Sequence, residues 1–204
     1  MTTEPRHGAP AAERNKDAIL AVLSRVLPPS GLVVEIASGT GQHVVHFADA
    51  LPRLTWQPTE PDPEMRLAIA DRLAEIDLPN VLAPLDLDVC RPDWPVEHAD
   101  AVLCINMIHI SPWRAAEQLI CGCERILRPG GVLVLYGPYR RFGRHTAPSN
   151  EAFDASLRRR DPQWGVRDLE TVVETAKRHG LDLSEIVEMP VNNLSVVLVR
   201  NSVS

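Results

Sequence analysis

No apolar run in the 204 residues approaches the roughly 18–20 that a membrane-spanning helix needs. Met1 to Pro10 is polar and lacks the apolar stretch of a secretory signal, so a cytoplasmic protein without a membrane partner is expected. An excess of positive charge is missing as well. The net charge is −6, which argues against nucleic acid as a partner, because that affinity depends on neutralising phosphates. The basic residues Arg140, Arg141 and Arg144 and the run Arg158-Arg159-Arg160 are a local exception, and the run reads as a solvated helix face. Cysteine is sparse. Of Cys90, Cys104, Cys121 and Cys123, the last two form a Cys-x-Cys with no second Cys or His pair nearby, so no metal is expected. Cys104, Cys121 and Cys123 fall in strand-like and helix-like runs and are expected to act as small buried hydrophobes. There is also no internal repeat and no low-complexity tract.

What is present is an alternation of elements, as one α/β domain over residues 1–204. Ile19, Val22, Leu23 and Val26 recur at helical spacing, and Pro28-Pro29-Ser30-Gly31 ends that helix. Strands are predicted at Leu32–Ile36, Leu54–Gln57, Asn80–Leu85, Asp100–Ile105 and Val132–Tyr136. Helices are predicted over Gln42–Leu51, Pro63–Ile76 and Pro112–Leu127, with Asp62 opening the second. These strands are apolar throughout, the pattern of a parallel sheet covered on both faces. Leu183–Met189 and Ser195–Arg200 stand too close together for a crossover helix and should pair antiparallel. The predicted fold is therefore a doubly wound, seven-stranded, mostly parallel sheet with helices on both faces and an antiparallel C-terminal hairpin. Residues 1–12 are expected to be a flexible N-terminus. Residues 137–180, holding about two helices, are expected to be an insertion on the substrate side.

Open α/β sheets bind ligands beyond the carboxyl ends of their strands. The first such end is Glu35-Ile36-Ala37-Ser38-Gly39-Thr40-Gly41, where Gly39 and Gly41 let the backbone turn tightly against a ligand. The helix that follows points free N–H groups at a carboxylate or phosphate. The dinucleotide spacing G-x-G-x-x-G is not met, since position 44 is Val44. Glu60, about twenty residues on, stands where a carboxylate accepts the hydroxyls of a ribose. Asp86 and Asp88 flank Leu87 at the next strand end, where either acid can meet an adenine amino group. Asn106 to Trp113 brings polar groups to the end of the fourth strand. His109 is the candidate general base, as an imidazole titrates near neutrality. His43 and His46 lack a third metal ligand.

Glu35 to Gly41, Glu60, the Asp88 region and Leu127-Arg128-Pro129-Gly130-Gly131 occur in the order that resembles class I S-adenosylmethionine-dependent methyltransferases. The match spans about residues 30–137. The resemblance implies a Rossmann-like fold, S-adenosylmethionine as cofactor and methyl transfer as the activity. It implies cofactor-binding roles for Arg14, Glu35, Ala37, Ser38, Gly39, Gly41, Glu60, Leu87, Asp88 and Asn106. Catalytic roles fall to His109, Asn106 and Tyr139. One departure is Ala37, where the usual loop begins with glycine; an alanine is accommodated there at negative φ. Longer words, among them Asn106 to Trp113, Tyr136-Gly137-Pro138-Tyr139, Phe153-Asp154, Trp164-Gly165, Arg167-Asp168 and Asn192-Asn193, resemble the methyltransferase-like protein twenty-six family, once a domain of unknown function. The acceptor expected is a small molecule. The competing reading is a cofactor-binding protein without catalysis, acting as a regulator or partner subunit.

Overall fold

The computed structural model describes residues 10–202. Most of the N-terminus expected to be flexible lies outside the described residues, and from Pro10 the chain is helix α1 (Pro10–Val26). Then follow β1 (Gly31–Ile36), α2 (Gln42–Ala50), β2 (Leu54–Pro58), α3 (Pro63–Ala74), β3 (Ala99–Ile105), α4 (Trp113–Ile126) and β4 (Leu127–Arg141). The C-terminal part holds β5 (Arg144–His145), α5 (Pro148–Arg160), β6 (Arg167–Asp168), α6 (Leu169–Arg178), β7 (Leu181–Met189) and β8 (Asn193–Arg200).

The sheet runs β2-β1-β3-β4-β8-β7, with β5 and β6 each pairing β4, so it has eight strands rather than the expected seven. The first four strands of that path are parallel and β8 is antiparallel to both β4 and β7, which is the expected terminal hairpin. Asn80–Leu85 is a correction. It lies beside β2 but makes only two isolated bridges, Trp56 with Val81 and Thr59 with Leu85. Pro58 and Pro84 each lack an N–H, so the ladder between these segments cannot close. β4 also differs, starting at Leu127 rather than Val132. Gly130 at φ 79° carries the strand through an irregularity instead of ending it.

Successive residues of the sheet feed two cores, because side chains alternate across a strand. Val34, Ile36, Val102, Cys104, Leu133 and Leu135 pack under α4 and α6. Val33, Ala101, Leu103, Val132 and Val134 pack under α1 and α2, with Phe47 and Trp56. Cys104 and Cys123 are buried as expected, whereas Cys90 and Cys121 are only partly covered. The basic run on α5 is exposed, with Arg158 on Asp154 and Arg160 over Trp164. Among the described residues no helix is long and apolar enough to cross a membrane.

Candidate cofactor and acceptor site

The parallel pairing of β1 with β2 sets Glu35 level with Pro58 and brings two acidic strand ends side by side. Ser38 and Thr59 lock them together. The Ser38 N–H donates to the Thr59 carbonyl at 2.9 Å, and the Thr59 N–H and hydroxyl donate to the Glu35 carbonyl at 2.9 and 2.8 Å. Glu60 reaches back across this join, its Oε2 accepting from the Gly39 N–H at 2.9 Å and its Oε1 from the Asp62 N–H at 3.3 Å. Asp62 caps α3, as expected, by accepting from Glu64 and Met65. It leaves Glu60 free of that duty. Burial raises the Glu60 carboxyl above its ordinary pKa.

The loop after β1 turns on three left-handed residues, Ala37 (φ 54°), Gly39 (φ 56°) and Gly41 (φ 77°). A Cβ at Gly39 would meet no atom within 4 Å, so the residue borders open space. Gly41 is the N-cap of α2 and offers no side chain to its first N–H groups. Ala37 corrects the expectation of negative φ: the alanine keeps the glycine conformation. A left-handed alanine costs about 1 kcal/mol. Ala37→Gly is therefore expected to leave stability unchanged or to raise it, by up to ~1 kcal/mol in urea melts, whereas an ordinary Ala→Gly loses about that much.

A cleft of about 230 Å³ opens here, lined by Glu35, Ala37, Ser38, Gly39, Asn106 and, from the neighbouring elements, Asn15 and His43. Asn106 sits at φ 61°, and its N–H donates to the Tyr136 carbonyl at 2.8 Å. Glu35 is 2% exposed and its Oε2 has no hydrogen-bond partner. Desolvation pushes its pKa up to about 8. That Asn15 and His43 share this wall escaped the sequence reading, because α1 must fold over the strand ends before they meet. There the His43 Nε2 contacts the Asn15 Oδ1 at 2.8 Å, and burial holds the imidazole down to about 4.

Several other expected residues, Gly41 and Glu60 among them, do not line this cleft. Arg14 is exposed on α1 and does not line the cleft. Leu87 is 2% exposed and belongs to the core beneath α4, while Asp88 accepts from the Cys90 N–H at 2.9 Å. Asp86 is exposed and pairs with Arg66 and Arg91.

His109 is the larger departure. It follows Asn106 in a single 3₁₀ turn that rotates the imidazole into the core, where it is fully buried. Its Nδ1 accepts from the Arg167 N–H at 3.3 Å, and its ring meets Tyr139 edge-on at 5.0 Å. Burial lowers the imidazole to about 3 and raises the Tyr139 phenol, whose hydroxyl is unpartnered. Neither residue lines the cleft. His109 packs against Gly137, where a Cβ would come within 2.5 Å of its Nε2. Gly137→Ala is thus expected to cost about 2 kcal/mol of stability, read from a denaturant midpoint, because the packed ring has nowhere to move. Unchanged stability would mean that the ring is not held there.

A family model matches residues 6–200, that of a protein of unknown function, DUF938. The chain belongs to that family. Its fold is similar to an O-methyltransferase family protein from Burkholderia thailandensis, 18% identical with a TM-score of 0.81 over 95% of this chain and 57% of that one. It is also similar to the S-adenosylhomocysteine-bound CalO1, a methyltransferase of calicheamicin biosynthesis (18%, TM-score 0.68, 90% and 53%). A third similar structure is an O-methyltransferase family 2 protein from Planctomyces limnophilus, in complex with apigenin (18%, TM-score 0.76, 93% and 57%). The chain spans little more than half the length of these proteins, and at such identities the likeness is one of fold.

Proposed function

We propose that this chain binds S-adenosylmethionine in the cleft above β1 and β2 and transfers its methyl group to a small-molecule acceptor. The observation that carries the reading is the buried, unpartnered Oε2 of Glu35 at the wall of that cleft. An orphaned buried carboxylate oxygen is costly unless a cation or donor completes it. The ammonium of a bound amino-acid moiety is such a partner. The left-handed turn through Ala37, Gly39 and Gly41 presents backbone without side chains alongside it. Glu60 retains free lone pairs on both oxygens, since each accepts only one N–H in the protein. It suits a pair of ribose hydroxyls. These residues fit the cofactor.

The cofactor, when bound, supplies an electrophilic methyl group on sulfur. The chain's own contribution is placement. Glu35 and Glu60 fix the two ends of the cofactor, and Asn106 lines the cleft beside Glu35. The resemblance to the methyltransferase-like protein twenty-six family supports the cofactor, as does the likeness of fold. In this reading Asp88 stands on the adenine side, the segment 137–180 borders the acceptor, and the protein acts in the cytoplasm.

One observation favours the second reading, a cofactor-binding protein without catalysis. His109 and Tyr139, the ionisable groups expected to serve the acceptor, are buried behind the cleft wall. General base catalysis is needed only for an acceptor that must lose a proton, so the first reading stands. Incubation with methyl-labelled S-adenosylmethionine and a metabolite extract separates the two. Label passing into a small molecule supports the transferase, and binding without label in any product supports the binder. Glu60→Ala is expected to weaken S-adenosylhomocysteine about ten-fold by calorimetry, the loss of one charge-assisted pair. An unchanged affinity would remove Glu60 from the site.

A further inference from the structure

At the end of the sheet opposite the cleft, the last turns of α4 and the C-cap of α6 bring Cys121, Glu124 and His179 together. One ligand atom from each lies within 4.8 Å of the others, and all three side chains are partly open to solvent. We propose that this cluster binds a soft divalent cation, Zn²⁺ in the first instance, through the Cys121 thiolate, the His179 imidazole and the Glu124 carboxylate, with water in a fourth position.

The backbone dictates the arrangement. Cys121 and Glu124 are three residues apart on one helix and so share a face. His179 caps α6, and its Nδ1 lies 2.7 Å from the Glu124 Oε2. The cluster therefore stands at two helix C-termini, whose unpaired carbonyls carry partial negative charge and favour a cation. Arg200 reaches only the main chain there, donating to the carbonyls of His179 and Gly180 at 3.3 Å. It leaves the three side chains free. Sulfur, imidazole nitrogen and one carboxylate oxygen form a donor set that suits Zn²⁺ better than a hard ion. Ligand atoms around tetrahedral zinc lie roughly 3.5 Å apart, so the side chains must close by about 1 Å, which partly exposed rotamers allow. As the metal–sulfur bond forms, the Cys121 thiol releases its proton to solvent. The neighbouring Cys123 is fully buried in the core, so it takes no part.

The full chain, reduced and stripped with a chelator, is to be titrated with Co²⁺ as a spectroscopic probe and then with Zn²⁺. The expected result is a thiolate-to-cobalt charge-transfer band that saturates at one equivalent and bleaches with Zn²⁺. It should vanish in Cys121→Ser, weaken ten-fold or more in His179→Gln, and persist in Cys90→Ser. Zn²⁺ should raise Tm in the parent protein and leave Cys121→Ser unmoved. No thiolate band, or one that survives Cys121→Ser, overturns the proposal and leaves the Glu124–His179 pair as a simple contact between helices. Should the serine variant fail to fold, His179→Gln decides on its own, since undiminished binding there excludes the site.

Discussion

Replacing Gly39 by arginine is expected to lower the affinity for S-adenosylhomocysteine by roughly a hundred-fold or more, about 3 kcal/mol. The side chain would leave the loop at a point where a Cβ meets nothing within 4 Å, and the residue lines the cleft. It would therefore occupy the ligand's volume rather than press on the protein. Its φ of 56° adds strain of about 1 kcal/mol. The variant should fold, with a small drop in Tm. A folded variant that binds as tightly as the parent would show that the ligand does not lie over this loop.

Glu35 carries the second large effect, one that depends on pH. The folded carboxyl holds its proton to about pH 8, whereas an unfolded glutamate releases it near the ordinary 4.5. Between those limits the folded state binds the extra proton. The contribution of this group is thus fully present below about 4.5 and is lost as pH rises through about 8. The expected slope is about 1 kcal/mol per pH unit across the window, and Glu35→Gln should flatten it. A cationic ammonium in the cleft acts the other way, since it draws the carboxylate into its charged form. Binding at pH 6.5 should then release close to one proton, measurable as a calorimetric heat that varies with the buffer. In Glu35→Gln that variation should vanish and affinity fall at least ten-fold. A buffer-independent heat in the parent protein would disconnect Glu35 from the ligand.

The parts of the candidate site that could be read from the sequence are those set by local structure alone. The glycine loop, the acid at the end of an apolar run and the cap at Asp62 need only a few adjacent residues. The apolar runs gave the two-faced sheet for the same reason, because each strand must bury both of its faces. The misreadings arise where distant segments meet. His109 follows a strand end and has the chemistry of a base, but a 3₁₀ turn and the space left by Gly137 draw it into the core. Asn15 and His43 lie 28 residues apart and become one cleft wall only when α1 docks on α2. Asn80–Leu85 has the composition of a strand, yet the missing N–H groups at Pro58 and Pro84 leave it two bridges. Ala37 shows the loop overriding a residue's own preference. Its neighbours Ser38 and Glu35 are tied to Thr59, and that tie fixes the turn whatever stands at position 37.

A cleft above β1 and β2 built for S-adenosylmethionine must also bind its demethylated product. Titrating the full chain with S-adenosylhomocysteine by calorimetry tests it most directly, with NADH as the competitor. One site of micromolar affinity is expected, undisturbed by NADH and weakened at least a hundred-fold in Gly39→Arg. No heat and no thermal shift with either S-adenosylhomocysteine or S-adenosylmethionine would contradict it.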